Sequence, residues 1–230
     1  MSDDMLRWPG GWARLGAWHG RTDVAYLAVG AQRPPSQALV DQWLCTLRGR
    51  GYARVVTNAL APAETLPFVD AGFSVQERLH LLHHDLDDVP EPGVATRRAR
   101  ASERPAILAV DARAFPPFWQ LDAAGFQQAV LATPAARTRV IEADGVVVAY
   151  AVTGRAERRG YLQRVAVDPD GQGRGLGRAL VLDALRWLRR HRARNAVVNT
   201  QLDNEVALGL YRSCGFREHP SGLCVMGRSL

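Results

Sequence analysis

Val165-Ala166-Val167-Asp168-Pro169-Asp170-Gly171-Gln172-Gly173-Arg174-Gly175-Leu176-Gly177-Arg178-Ala179-Leu180 places four glycines within seven residues, between an apolar strand and the start of a helix. Glycine lets backbone N–H groups turn to one side at little steric cost. The new helix adds its unpaired N–H groups and the positive end of its dipole. Together these make an anion cradle of the kind that takes a pyrophosphate. Arg174 and Arg178 add formal charge at its rim. A nucleotide-hydrolysing loop needs a lysine after its glycines, and this chain has no lysine. The spacing Gly171-x-Gly173-x-x-x-Gly177 also misses the dinucleotide-binding pattern. Taken alone, the loop is as readily a plain glycine-rich turn as a ligand cradle.

Working outward, Asp87-Asp88-Val89-Pro90-Glu91-Pro92-Gly93 reads as a stiff, exposed connector. It divides the chain into 1–90 and 91–230. After it, Val94–Arg98 predicts a short strand. Helical patterns follow from Ser102-Glu103 to just before Pro116, and over Leu121–Leu131. Arg139–Glu142 and Val146–Thr153 flank a hairpin turn at Ala143-Asp144-Gly145. Then come a strand over Tyr161–Val167, an amphipathic helix over Gly175–His191 and a strand over Ala196–Gln201. A helix over Asn204–Cys214 is closed by Gly215, and two short strands end the chain. The order predicts an α/β fold: a mixed sheet with helices on its faces.

Residues 39–73 and 180–216 read alike. Each runs Leu-Val, basic amphipathic helix, Val-Val strand, helix, Gly-Phe. With gaps, Val55-Val56 faces Val197-Val198, Phe68 faces Tyr211, and Gly72-Phe73 faces Gly215-Phe216. A duplication is expected.

Gln172-Gly173-Arg174-Gly175-Leu176-Gly177 resembles the Gln/Arg-x-x-Gly-x-Gly signature of the GNAT superfamily of N-acetyltransferases. Asn204-Glu205-Val206-Ala207-Leu208-Gly209-Leu210-Tyr211-Arg212-Ser213-Cys214-Gly215-Phe216 is similar to that family's Asn-x-x-Ala-x-x-Leu-Tyr-x-x-x-Gly-Phe block. Two motifs in order, one helix and one strand apart, are far more specific than either alone. The resemblance implies a GNAT fold over 91–230, acetyl-CoA as co-substrate without a metal, and transfer of the acetyl group to a primary amine. It also implies roles. Val165, Ala166 and Val167 would offer backbone groups to the pantetheine arm. The amides of Gln172, Gly173, Arg174, Gly175, Leu176 and Gly177, with Arg178, would hold the pyrophosphate. Asn204 would hydrogen-bond the cofactor, Tyr211 would protonate the leaving thiolate, and the Val165 N–H would stabilise the oxyanion. Asn204 and Tyr211 are seven residues apart and so share a helix face. A general base is missing: relatives often carry a glutamate near the position of Gln163, which cannot accept a proton. A non-catalytic acyl-CoA sensor is the alternative that would keep the cradle.

The first ninety residues then resemble the second half of such a domain, with its functional groups gone. Their loop is Gly30-Ala31-Gln32-Arg33-Pro34-Pro35-Ser36, and two prolines remove donors. Ala61 stands where Asn204 does, and Phe68 where Tyr211 does. A degenerate unit without cofactor is expected, covering a sheet edge. Residues 1–22, with three tryptophans and four glycines, read as an irregular packed arm.

Composition sets outer limits. Of 230 residues, 47% are hydrophobic and 23% charged, which excludes a disordered or collagen-like chain. The longest apolar run, Val146–Val152, is far below the ~18 residues of a membrane span, so no membrane partner is expected. Three cysteines in no metal spacing, and an acidic start without an apolar core, suggest free thiols in a bacterial cytoplasm. All 29 basic residues are arginine, and the net charge is +6. Residues 1–90 hold eight arginines against ten acids; 91–230 hold 21 against 13. A polyanionic ligand therefore belongs with the second part. Nucleic acid is disfavoured, because the arginines over 186–194 suit a helix C-terminus. His80, His83 and His84 beside Asp85, Asp87 and Asp88 are disfavoured as a metal site, since neighbours on a strand face opposite ways. Phe115, Phe118 and Trp119 read equally as acceptor-site lining and as a hydrophobic plug. The acceptor is open between a small amine and a protein N-terminus or side chain, and a homodimer is open.

Overall fold

The computed structural model describes residues 4–31 and 33–230. The chain divides into two compact units. The first comprises Met1–Leu81, Gln201–Asp203 and His219–Leu230, and the second Leu82–Thr200 and Asn204–Glu218. The C-terminal residues therefore do not follow the linear division at 90/91. The reason is pairing: β12 (Leu223–Ser229) lies antiparallel between β4 (Arg54–Thr57) and β5 (Ser74–His84).

In the first unit β1 (Asp4–Trp8), β2 (Gly11–Ala17), β3 (Val24–Ala31), β4, β12 and β5 are neighbours in that order. The expected irregular arm is instead the hairpin β1–β2, turning at Pro9-Gly10, where Gly10 has φ +111°. Period-two burial of Ala13 and Leu15, with Trp12 and Arg14 less buried, is the pattern of a one-faced strand. Helix α1 (Gln37–Gly49) is capped by Ser36 and buries Val40, Trp43, Leu44 and Leu47. The short α2 (Leu66–Asp70) brings in Phe68.

The second unit has strand order β10 (Asn195–Gln201), β9 (Arg159–Val167), β8 (Val146–Ala156), β7 (Ala135–Ala143) and β6 (Arg97–Arg98). The β9–β10 pair is parallel and the β6–β7, β7–β8 and β8–β9 pairs are antiparallel, so the sheet is mixed as expected. Helices α3 (Arg104–Ala114) and α4 (Ala123–Leu131) pack with Tyr150, Val152 and Ala166 on one face. Helix α5 (Leu176–Arg190) covers the other face with Ala179, Leu180, Val181, Ala184, Leu185 and Leu188. Each fully buried leucine contributes about 1.5–3 kcal/mol. Helix α6 (Glu205–Ser213) completes that layer, and β11 (Arg217–Glu218) pairs with the end of β5.

The two units repeat at the level of single hydrogen bonds. The N–H of Tyr52 reaches the carbonyl of Leu47, as Ala193 reaches Leu188. The N–H of Phe73 reaches Phe68, as Phe216 reaches Tyr211, each past a left-handed glycine (Gly72 and Gly215). Strands β3 and β4 pair in parallel from Val24↔Arg54, as β9 and β10 do from Arg159↔Asn195. That register sets Val55-Val56 level with Ala196-Val197. The match with Val197-Val198 is corrected by one residue, because strand pairing fixes the register more tightly than side-chain type.

Candidate functional site

In the glycine loop, Gly173 and Gly175 have φ +73° and +76°, and Gly175 is the N-cap of α5. A side chain added at either would meet no protein atom within 4 Å, so both face open space. Gly177 has another role: a Cβ there would lie 3.1 Å from Leu210, so it allows α5 and α6 to approach closely. Among the described residues, the amides from Gly173 to Arg178 have no backbone acceptor; the first helical bond is Ala179 N–H to the Gly175 carbonyl. Such a run of donors fits a pyrophosphate. The Gln172 amide differs. It donates to the Pro169 carbonyl at 3.3 Å, while its side-chain Nε2 donates to Val167 at 3.4 Å. Gln172 thus staples the loop to the strand, and its N–H is spent on the turn. Asp168 and Asp170 would repel an anion, but Arg113 from α3 pairs with both, at 3.3 and 2.8 Å. Arg174 is exposed and makes no ion pair among the described residues. The Arg178 guanidinium donates to the Ser213 carbonyl at 2.5 Å and is turned toward the end of α6.

Beside the loop the sheet opens. Registered pairing of β9 with β10 ends at Tyr161↔Val197, and β9 runs on to Val167. Val165, Ala166 and Val167 lie on this unpaired stretch, held from the other side by Ala151, Tyr150 and Ala149. A bulge precedes them. Val152 pairs with Arg164 and Thr153 with Leu162, so Gln163 is the extra residue.

Helix α6 starts at this opening. Asn204 caps it, its Oδ1 accepting from Ala207 N–H at 3.1 Å, and its Nδ2 has no acceptor among the described residues. Tyr211 is 6% exposed, packs on Phe216 with ring centroids 5.7 Å apart, and its hydroxyl has no hydrogen bond among the described residues. Burial holds its ionisation well above the ordinary tyrosine value, so it stays protonated. The neighbouring Cys214 thiol is pushed up by the same cause. Cys214, Ser213, Arg178, Arg217 and His84 line a cleft of about 360 Å³.

The sequence reading missed a buried ionic network. Asp111 of α3 is fully buried; its carboxylate accepts from Arg164 Nε and Nη2 at 2.7 and 2.8 Å, from the Leu121 N–H at 2.7 Å and from the Tyr150 hydroxyl. Arg164 also donates to the Trp119 carbonyl at 2.8 Å and lies 3.4 Å from the Phe115 ring centre. The network ties the aromatic segment 115–121 to β9, one residue before Val165. A charge at Asp111 within the apolar stripe Ile107, Val110 and Ala114 was the available signal.

His84 is buried and its Nδ1 accepts from Leu86 N–H at 2.8 Å, so that nitrogen is unavailable to a metal. No described helix is long and apolar enough to cross a membrane.

In the first unit the matching positions are closed. Strands β3 and β4 pair as far as Leu27↔Thr57. There the Asn58 carboxamide takes over, accepting from Val29 N–H at 2.8 Å and donating to the Val29 carbonyl at 3.1 Å. Val29 sits opposite Ala13 as Val165 sits opposite Ala151, so the two valines are counterparts.

A family model described as Acetyltransferase (GNAT) family matches residues 104–216. The chain is 32% identical over 208 residues to a mycothiol acetyltransferase of Amycolatopsis mediterranei, covering 75% of this chain and 69% of that protein. It spans 62% of a Thermomonospora curvata relative of the same name, at 31% identity. Among solved structures, a GCN5-related N-acetyltransferase from Kribbella flavida aligns with TM-score 0.66 and 20% identity over 98% of this chain and 89% of that one. A tandem GNAT protein from the clavulanic acid biosynthesis pathway aligns with TM-score 0.63 and 16% identity over 96% of this chain and 79% of that one.

Proposed function

Since the chain belongs to the GNAT acetyltransferase family and is an acetyl-transferring enzyme, we propose that its second unit moves an acetyl group from acetyl-CoA to a primary amine by direct attack in a ternary complex. The observation that carries this reading is the run of unpaired amides from Gly173 to Arg178 beside a strand, β9, that lacks its partner. Acetyl-CoA, when bound, supplies an acetyl group activated as a thioester. The chain's part is to hold and polarise it.

The loop amides and Arg174 hold the pyrophosphate, with Arg113 offsetting part of the charge of the two aspartates that would repel it. Backbone groups of Val165, Ala166 and Val167 pair with the amides of the cofactor arm. The first unit supports this: at Val29 the equivalent N–H and carbonyl both bind a carboxamide. The Val165 N–H faces the negative charge that develops on the thioester oxygen. Asn204 offers its Nδ2, since Oδ1 is committed to the helix cap. Tyr211 is the general acid. Its hydroxyl, kept protonated by burial, donates to the departing sulfur. Free Cys45, Cys214 and Cys224 accord with a cytoplasmic setting.

Isothermal titration with acetyl-CoA tests the core of the reading. Wild type should bind, and Gly175→Trp, whose side chain would fill the cradle, should not. No binding by wild type, or equal binding by the variant, overturns it.

A further inference from the structure

Gln163 is the residue added by the bulge in β9, and a bulge re-aims the side chain it carries. Its carboxamide lies over Gly154 beside Thr133, where any Cβ on Gly154 would collide with both. Its Oε1 is buried and has no hydrogen-bond partner among the described residues. Leaving such an oxygen unpaired costs about 1–3 kcal/mol, a cost that an incoming donor would recover. Gln163 stands two residues before Val165, next to Arg164, which holds the aromatic segment 115–121.

Resting on the acetyltransferase reading above, we propose that Gln163 is the contact for the acceptor amine, and that this neutral contact selects amines of low basicity, α-amines rather than lysine side chains. An amide oxygen accepts a hydrogen bond from a neutral amine but cannot remove its proton. Among the described residues, the carboxylate and the guanidinium nearest it in sequence and packing have other partners, and the tyrosines of β9 and α6, Tyr161 and Tyr211, are phenols rather than bases at neutral pH. Asp111 of α3 has both oxygens filled by Arg164, Tyr150 and the Leu121 amide. From β9 itself, Arg164 is spent on that carboxylate and on Trp119. From β8, Tyr150 donates to Asp111 and Arg155 donates to the Glu157 carbonyl. After α4, the Thr133 hydroxyl donates to the Ala135 carbonyl. From α6, Tyr211 is held protonated by burial.

The amine must therefore arrive unprotonated. Its nitrogen bonds to the thioester carbon, the carbon–sulfur bond breaks with its electron pair on sulfur, Tyr211 protonates that sulfur, and the surplus proton on nitrogen passes through water to restore the Tyr211 hydroxyl. At pH 7.5 an α-amine of pKa ≈ 7.8 is about one-third neutral, and a lysine of pKa ≈ 10.4 about a thousandth, a ratio of roughly 250.

The test measures kcat/KM against pH with two probes, an alanyl dipeptide amide and Nα-acetyl-lysine amide, following thiol release. Wild type should favour the α-amine by roughly 250-fold at pH 7.5. Its profile should rise tenfold per pH unit up to the acceptor's own pKa. Gln163→Glu should extend activity to lower pH. Gln163→Leu and Gln163→Met should raise the acceptor KM with acetyl-CoA affinity unchanged. Comparable lysine turnover at pH 7.5, an enzyme group titrating near pH 6–7 in wild type, or unchanged acceptor KM in both apolar variants overturns the inference while leaving acetyl transfer intact. Acetyl-CoA binding with neither probe acetylated overturns the inference together with the transfer reading.

Discussion

Asp111→Asn replaces one atom in the most heavily committed side chain of the second unit. The carboxylate is 0% exposed and takes four hydrogen bonds, two of them from Arg164. An asparagine could still accept from Leu121 N–H and one Arg164 nitrogen through Oδ1. Its Nδ2 would then face Arg164 Nε, donor against donor, and the guanidinium would lose its countercharge. Arg164 cannot escape to water, its side chain being 14% exposed. Breaking a buried pair by neutralising one partner costs about 3–5 kcal/mol. The loss should sit near the lower end, about 3 kcal/mol, because Tyr150 can rotate its hydroxyl to accept from Nδ2. At about 2–4 °C per kcal/mol for this size, Tm should fall by roughly 6–12 °C. Urea denaturation with an unchanged m-value would measure it. The double variant Asp111→Asn/Arg164→Met should recover much of the loss. A change below about 1 kcal/mol, or no recovery, would refute the argument that this pair holds segment 115–121 to β9.

Three further outcomes are expected. Tyr211→Phe should lower turnover by about 10²–10⁴-fold with acetyl-CoA affinity nearly unchanged, read from steady-state kinetics and titration; Phe68 at the matching place of the first unit indicates that the fold accepts the ring without its hydroxyl. Acetyl-CoA should bind once per chain by calorimetry, since Asn58 already occupies Val29; two sites would overturn that. Burial lowers the pKa of His84 below the ordinary histidine value, so the folded state binds fewer protons there than the unfolded chain. Stability should therefore be complete above the unfolded histidine pKa of about 6.5 and decline as pH falls through it. In His84→Asn, whose Oδ1 can accept from Leu86 N–H, denaturation midpoints between pH 5 and 7 should show a shallower slope.

Elements whose cause is local were legible in the sequence. The helix over Gly175–His191 announces itself by period 3.6 and by Gly175 at its start, and it forms over Leu176–Arg190. The turn at Asp144-Gly145 likewise fixes the β7–β8 hairpin. Features that depend on register were not legible. Nothing between Tyr161 and Val167 signals where β10 leaves β9, because that follows from two strands meeting at Tyr161↔Val197. The bulge at Gln163 is set by pairing with β8, so the sequence singled out Gln163 only as a missing carboxylate. The N-terminal hairpin was masked by its tryptophans and glycines, although Ala13 and Leu15 alternate as a strand should. Of the proposed cofactor residues, those from Gly173 to Gly177 rest on local glycine conformations. Gln172 and Arg178 depend on where the chain turns next, and there the structure assigns their groups to Pro169, Val167 and Ser213.

The repeat explains why one parting of strands can stay open. A strand edge buried without partners is costly, since each unpaired backbone group loses its hydrogen bond to water. In the first unit that cost is removed within the chain: Asn58 continues β4 by one residue and turns its carboxamide back to satisfy both polar groups of Val29. In the second unit the strand register places Asn199 level with Asn58, yet it is exposed and makes no such bond to Val165. The difference lies on the strand opposite. Strand β3 pairs with β2 without interruption, whereas β9 carries the extra Gln163 between Leu162 and Arg164, after which its pairing with β8 resumes. The inserted residue thus aims the Gln163 carboxamide at Gly154 and Thr133, on the same strand whose Val165–Val167 stretch has no registered partner in β10.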